Sequence, residues 1–390
     1  MINKKSNKDK KTKIIKQVMF VIIFLLVCGI IGYFIGFLSG SYFKDFMDAH
    51  IKSDSGFIEL VKIYVLVLIF FLGYILHMFI HEAGHLVFGL MTGYSFVSFR
   101  VGSHTLIKED NRLKYKKFNI PGTGGQCLMM PPALKNGRFP FVIYNLGGGL
   151  MNLIVSILGI LIVLFVPNVV FPLNAILVLG GLGGMFAAIT NLIPLKIGGI
   201  ANDGYNILSM IRDEGARKGL YLQLWVNGLL SKGKRIKDIP LEMFKLKEDS
   251  DLCNPLISSI KLMEYSWYLD NMNFEKAKQS IDAFVPYLDK IIGVYKNEIN
   301  CERIFLELVE NCDKSFIDDL YDKNLKRYIK AAKYMISKKR LLMAYEAFYN
   351  KDKEKALKRY EEAKKLAEKY PIKGDADTEL MIMEWIRDKC

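Results

Sequence analysis

The chain has 390 residues, of which 51% are hydrophobic and 24% are charged, and its formal net charge is +14. This length allows two domains of ordinary size. The basic excess does not predict nucleic-acid binding, because lysines flank apolar segments as they do beside anionic lipid, and no zinc knuckle, Gly-rich phosphate loop or RNA-stacking motif occurs.

Residues 1–16 are predicted to form a basic cytoplasmic tail, with seven lysines and one aspartate. Residues 17–43 follow without a charged side chain. A membrane-spanning helix needs about 20 apolar residues, whereas the apolar core of a cleaved signal peptide is shorter. We therefore predict a retained transmembrane helix over 17–43.

Three further membrane helices are predicted, over residues 60–91, 141–166 and 173–193. The uncharged run Ile63 to Ile80 belongs to the first of them. The run from Phe139 to Leu195 is also uncharged, and it is too long for one helix. Pro167 and Pro172 divide it, because proline breaks a helix.

Segment 94–138 is predicted to be cytoplasmic, because it is rich in lysine and arginine. Alternating polar and apolar residues over 95–101 and 105–117 favour a β-hairpin. The whole pattern predicts an all-α polytopic protein of the cell membrane, with four transmembrane helices and both termini cytoplasmic. Its membrane-embedded domain covers 17–215.

Residues 216–390 are predicted to form a cytoplasmic helical domain. The stretches Tyr265–Phe284 and Ala344–Ala363 have spacings similar to tetratricopeptide repeats, and an ordinary helical bundle is the alternative. Either fold favours an interaction module, so we expect a protein partner for this domain.

His81 and His85 lie four residues apart, which places both imidazoles on one side of a helix. Such a pair can bind one Zn²⁺ at about 2.0–2.1 Å. Glu82 can act as general base for the water that the metal activates. A cluster of ionisable groups at membrane depth is costly and usually functional. The alternative is a buried polar cluster between helices.

A catalytic zinc site needs a third protein ligand and keeps one position open. After His85, the first acid that follows the uncharged run is Asp203. It lies beyond Pro194 in a glycine-containing turn, which is tolerated at membrane depth where it lines a polar cavity. We predict that Asp203 binds the metal. A helix-capping role is the alternative for Asp203, and Asp213 or Glu214 is the alternative ligand.

Two other polar residues lie in predicted membrane helices. His77 is one turn before His81, and it is interpreted as lining the cavity or supporting the ligands. Asn152 follows the glycines at 147–149 and is a candidate donor to the oxyanion or to the substrate backbone. A packing hydrogen bond between helices is the alternative for Asn152.

The combination resembles the site-2 protease family of intramembrane zinc metalloproteases. The resemblance rests on the His81–His85 motif, the Gly148–Asn152 segment, and Asn191, Pro194, Asp203 and Gly204. It covers residues 60–215. The chain departs from the family in its longer gap between Pro194 and Asp203, in the absence of a second proline there, and in having Asn202 where leucine is typical.

The resemblance implies cleavage of a membrane-anchored protein or peptide, which must unwind locally and could be held by an edge strand from 95–117. One alternative is a non-catalytic, zinc-binding membrane scaffold that acts through its C-terminal helical domain. Another is a metalloprotease of a different class that takes its acid from a later helix. The presence of Glu82 favours an enzyme, because a scaffold needs no general base.

Overall fold

The computed structural model describes residue 48 and residues 51–109, 112–118, 124–197 and 200–390. The predicted helix at 17–43 and the basic tail before it lie outside these residues. The chain divides into two compact units, Met1–Ile69 and Phe70–Cys390.

Within the described ranges, three helices are long and apolar enough to cross a membrane: α1 (Gly56–Met91), α2 (Phe141–Phe165) and α3 (Leu173–Leu192). They confirm the helices predicted at 60–91, 141–166 and 173–193. Large apolar side chains along them are exposed, including Leu72, Leu158 and Ile176. Such continuous apolar exposure is compatible with a membrane protein.

The helices α1 and α2 are in close contact through glycine. A Cβ atom added to Gly84 would lie 2.2 Å from the carbonyl oxygen of Gly147. Further along, His81 lies against Gly148, and His77 bonds to Asn152. Residue numbers fall along α1 as they rise along α2, so the two helices are antiparallel. Small residues allow this approach between membrane helices.

Segment 94–138 contains an antiparallel sheet of four strands: β1 (Ser95–Val101), β2 (His104–Glu109), β3 (Arg112–Lys117) and β4 (Gly125–Met130). The strand order is β3-β2-β1-β4, so β3 and β4 are the two edges. The predicted hairpin is therefore confirmed as β2 and β3, preceded by β1. Strand β4 was not predicted, and it lies at the edge opposite the hairpin's outer strand.

Beyond α3, a two-stranded ladder of β5 (Lys196–Ile197) and β6 (Ile200–Ala201) leads into α4 (Asp203–Arg212) and α5 (Glu214–Ser231). Eight further α-helices follow: α6 (Pro255–Asp270), α7 (Phe274–Asp282), α8 (Gly293–Val309), α9 (Lys314–Leu320), α10 (Lys323–Ala331), α11 (Ile336–Ala344), α12 (Lys353–Ala367) and α13 (Lys373–Lys389). The C-terminal part is thus helical, as expected.

The two stretches compared with tetratricopeptide repeats share one local geometry. Met272 and Lys351, which precede α7 and α12, both have positive φ, 55° and 54°. Five residues later, Ala277 and Ala356 are both fully buried. The likeness extends to these turns, and membership of the repeat class stays a prediction.

The sheet and the helical domain meet around Phe118 and Glu109. The Phe118 ring packs edge-on against Tyr370, with centroids 5.3 Å apart. Nearby, the Glu109 carboxylate pairs with Lys116 at 2.6 Å and with Lys373 of α13 at 3.4 Å. Burial favours a higher pKa for Glu109, but hydrogen bonds from Lys116 and Lys114 outweigh it and lower the pKa to about 2.

An acidic group whose pKa is lower in the folded protein than in the unfolded chain stabilises the fold at pH values above the unfolded pKa. This stabilisation is lost as the pH falls through the pKa of the folded state. Because Lys114 and Lys373 are partly exposed to solvent, which screens their charges, we expect Glu109→Gln to lower the stability at pH 7 by roughly 1–2 kcal/mol. It should also flatten the loss of stability between about pH 4.5 and pH 2. Thermal unfolding of the purified full-length protein in detergent, measured across this range, tests both effects.

Glu354, an exposed residue of α12, supplies the matched control. Glu354→Gln should leave the pH profile within about 0.5 kcal/mol of wild type. Superimposable profiles for the two variants would show that the lysine cluster around Glu109 does not stabilise the fold.

Candidate functional site

The two histidines of the motif project from α1 toward one point. Their Nε2 atoms are 3.1 Å apart, and the rings are nearly perpendicular, with centroids separated by 4.7 Å. This follows from their spacing, because residues four apart lie on one side of an α-helix. His85 is buried and His81 is partly buried.

Asp203, the first residue of α4, reaches the same point from the other side. Its Oδ2 atom lies 3.1 Å from His81 Nε2 and 3.4 Å from His85 Nε2. These three side chains form the one group of metal-binding type found among the described residues. The structure therefore brings together the three residues that the sequence analysis proposed as ligands.

The separations of the three atoms fit a tetrahedral zinc site. Two ligands that each lie 2.0–2.1 Å from Zn²⁺ at the tetrahedral angle are roughly 3.3–3.4 Å apart. The two Nε2 atoms are 3.1 Å apart, and Asp203 Oδ2 is 3.1 Å from His81 Nε2 and 3.4 Å from His85 Nε2. In addition, Asp203 Oδ2 is buried and, within the described ranges, makes no well-aligned hydrogen bond, although the two imidazole Nε2 atoms lie beside it. A cation bound by both imidazoles and this carboxylate would satisfy that atom.

The turn before Asp203 is held by the side chain of Asn202. The Asn202 Oδ1 atom accepts from the backbone N–H groups of Leu195 and Tyr205, at 3.0 and 2.8 Å. The Asn202 Nδ2 atom donates to the carbonyl oxygens of Thr190 and Ile193, both at 2.6 Å. Asn202 is thus the N-cap of α4. The capping role considered for Asp203 belongs to Asn202, which leaves the Asp203 carboxylate directed at the histidines.

The orientation of His85 is set by the backbone of α2. His85 Nδ1 lies 2.8 Å from the carbonyl oxygen of Tyr144, which can only accept, so Nδ1 carries the proton. In the neutral imidazole, the lone pair of His85 Nε2 therefore faces Asp203 and His81. Fixing a metal-binding imidazole through its second nitrogen is the usual arrangement in metal sites.

The position of His81 depends on Gly148. A Cβ atom at residue 148 would lie 2.4 Å from Cε1 of the His81 ring and 2.6 Å from its Nε2 atom. Any larger residue there must displace the imidazole. The glycine noted in the sequence thus makes room for a candidate ligand.

Glu82 contacts the sheet through β4. The N–H group of Cys127 donates to Glu82 Oε2 at 2.7 Å, and Gly125 lies against the Glu82 side chain. On the same edge, the Tyr144 hydroxyl donates to the carbonyl oxygen of Cys127 at 3.3 Å. Sequence analysis missed both contacts, and it placed the strand edge of interest within 95–117 and not at β4.

The remaining candidates lie away from the three converging atoms. His77 Nδ1 is 3.1 Å from Asn152 Oδ1, and both residues are buried.

Asp213 caps α5 by accepting from the N–H groups of residues 215 and 216, and the Glu214 side chain is 85% exposed. Neither of these two acids belongs to the cluster, so the alternative third ligands are not brought to it.

No protein-family model matches the chain, and no curated protein and no solved structure is significantly similar to it. The functional argument therefore depends on the residues and their geometry.

We expect Asp203→Ala to reduce the affinity for zinc at least 100-fold. This exceeds the effect usually seen for a lost partner of a ligand, roughly 10–100-fold. Glu214→Ala is the control, because Glu214 is the nearby exposed acid considered as an alternative ligand. The metal content of each purified variant, measured by mass spectrometry after dialysis against a weak chelator, tests the assignment. Loss of zinc from the Glu214 variant alone would reverse it.

A second test uses the glycines of α2. Gly148→Ala should displace the His81 ring and lower the zinc affinity roughly tenfold or more. Gly159→Ala adds the same methyl group to the same helix, where the nearest atom would be 3.4 Å away, and should retain zinc. Equal zinc affinities would mean that the position of His81 does not depend on Gly148.

Proposed function

We propose that this protein is an intramembrane zinc metalloprotease that hydrolyses a peptide bond of a membrane-anchored protein or peptide. The observation that carries this proposal is the convergence of His81, His85 and Asp203, with Glu82 next to His81 in sequence. Two imidazoles, one carboxylate and an open position are a common catalytic zinc set. The resemblance to the site-2 protease family supports the same function.

A zinc ion bound there would polarise the scissile carbonyl and lower the pKa of a water molecule toward about 7. Glu82 takes one proton from the attacking water and later gives it to the leaving nitrogen. The water hydroxyl adds to the carbonyl carbon, and negative charge develops on the carbonyl oxygen. When the carbonyl group forms again, the C–N bond breaks, and the products are a carboxylic acid and an amine. Because Cys127 N–H donates to Glu82 Oε2, we assign the proton transfer to the Glu82 Oε1 atom.

The proposed site is in the membrane, near the cytoplasmic end of α1. Three apolar helices and the charge pattern support this location, with four spans and both termini cytoplasmic.

The proposed substrate must unwind locally, because the backbone of a helix is protected from attack. Strand β4 is an edge strand, and an extended peptide that pairs with its main chain would replace Glu82 and Tyr144 as the partners of the Cys127 N–H and carbonyl groups. The C-terminal helical domain is proposed to bind a protein partner.

The test compares membranes from cells that carry wild-type protein or Glu82→Gln. The variant should retain zinc, and its proteolytic activity should fall roughly 100- to 10,000-fold, which is the contribution typical of a positioned general base. A single-span protein should then accumulate, and quantitative proteomics would identify it. Normal cell function with Glu82→Gln would instead support a non-catalytic zinc scaffold.

The same Glu82→Gln protein can locate the bound substrate. A photocrosslinking residue at the exposed Gln126 of β4 should capture the accumulated protein, whereas one at the exposed Tyr115 of β3 should not. Equal capture at both positions would contradict binding at the β4 edge.

A further inference from the structure

A second polar pair is buried beside the candidate metal centre. His77 is one turn before His81 on α1, and Asn152 is one turn after Gly148 on α2. The exposed fractions are 4% for His77 and 0% for Asn152. Polar side chains are expensive within an apolar helix bundle and are usually functional there.

The contact between the two residues fixes the direction of the Asn152 amide. Its Oδ1 atom lies 3.1 Å from His77 Nδ1, and an amide oxygen can only accept. His77 Nδ1 is therefore the donor, and the Asn152 Nδ2 atom is turned away from it. Asn152 Nδ2 is buried and has no acceptor within the part of the chain that the structure describes. A buried donor without an acceptor lowers the stability of the fold by about 1–3 kcal/mol, so we expect this N–H group to have a partner when the protein is at work.

Three helices hold the pair in place. Gly184 of α3 lies against the imidazole, and a Cβ atom there would be 2.2 Å from His77 Cε1. Ser156 Oγ would be equally close to that Cβ atom, and it donates to the carbonyl oxygen of Asn152 at 2.7 Å. The pair is thus enclosed from α1, α2 and α3, which limits the space in which the amide can rotate.

The pair lies one helical layer from the metal centre. In the antiparallel register of α1 and α2, His81 faces Gly148 and His77 faces Asn152 in adjacent layers. Helical side chains lean toward the N-terminus of their helix, so the Asn152 side chain leans toward Gly148 and the His81 ring.

We propose that Asn152 Nδ2 donates a hydrogen bond to the substrate carbonyl oxygen as negative charge develops on it, and that His77 is the positioning residue that directs this donor. The inference rests on the proposed function. It joins the two interpretations of Asn152, because one amide group serves both: the oxygen makes the bond between helices, and the nitrogen is kept for the substrate.

The experiment measures binding in the full-length, zinc-loaded Glu82→Gln protein, which cannot cleave the probes. One probe is a leucine-rich tripeptide with a phosphinate in place of one peptide bond, since this tetrahedral anion imitates the developing charge. The other is the all-amide tripeptide. Asn152→Ala should weaken phosphinate binding roughly 100-fold and amide binding about threefold or less, because a donor of this kind acts mainly on the transition state.

Variants of His77 separate positioning from simple packing. His77→Ala should weaken phosphinate binding roughly tenfold and should have no further effect in Asn152→Ala. His77→Gln, whose amide N–H can still donate to Asn152 Oδ1, should restore binding to within about threefold. Gly159→Ala, which adds a methyl group to α2 away from the pair, where the nearest atom would be 3.4 Å away, should change it less than about twofold.

Each outcome decides a different point. If zinc is bound and the phosphinate binds equally well to the parent protein and to Asn152→Ala, the pair only packs the helices and the inference is wrong. If the effects of His77→Ala and Asn152→Ala are additive, His77 does not act through Asn152. If the parent protein binds no zinc, the proposed function fails, and the inference fails with it.

Discussion

The candidate site depends on how closely the backbones of α1 and α2 approach each other. Side chains of ordinary size would keep the two helices roughly 8–10 Å apart. Where Gly84 faces Gly147, a single added carbon atom would overlap the opposite carbonyl group. This proximity allows the Tyr144 carbonyl of one helix to orient His85 of the other. The same close approach brings His81 against Gly148 and His77 against Asn152.

Much of the membrane part could be predicted from the sequence for a simple physical reason. A long run without charge has few structures open to it in lipid, so α1, α2 and α3 follow from hydropathy, and Pro167 and Pro172 separate the last two. The histidine spacing defines a face of a helix without tertiary information. Asp203 could be predicted as the third ligand because the uncharged run from Phe139 to Leu195 contains no acid, so few other acids remained as candidates. The helix at 17–43 and the number of four spans stay predictions.

Other parts depend on contacts between distant segments, which a single sequence does not encode in its periodicity. Strand β4 has consecutive buried residues, Cys127, Leu128 and Met129, so it lacks the alternation that predicts a strand. The bond from Cys127 N–H to Glu82 could not be anticipated without that strand. In the same way, the pairing of His77 with Asn152 depends on the register of two helices that are separated by 49 residues of sheet and loop.

The four hydrogen bonds of Asn202 bear on the unusual length of the turn after Pro194. A long turn has more conformational freedom to lose, and one amide here ties together residues 190, 193, 195 and 205. Leucine in its place would leave all four backbone groups without this partner. The length of the turn and the presence of asparagine at position 202 therefore depend on each other. A shortened turn would make the asparagine unnecessary, whereas a change of the asparagine alone would free the chain that presents Asp203.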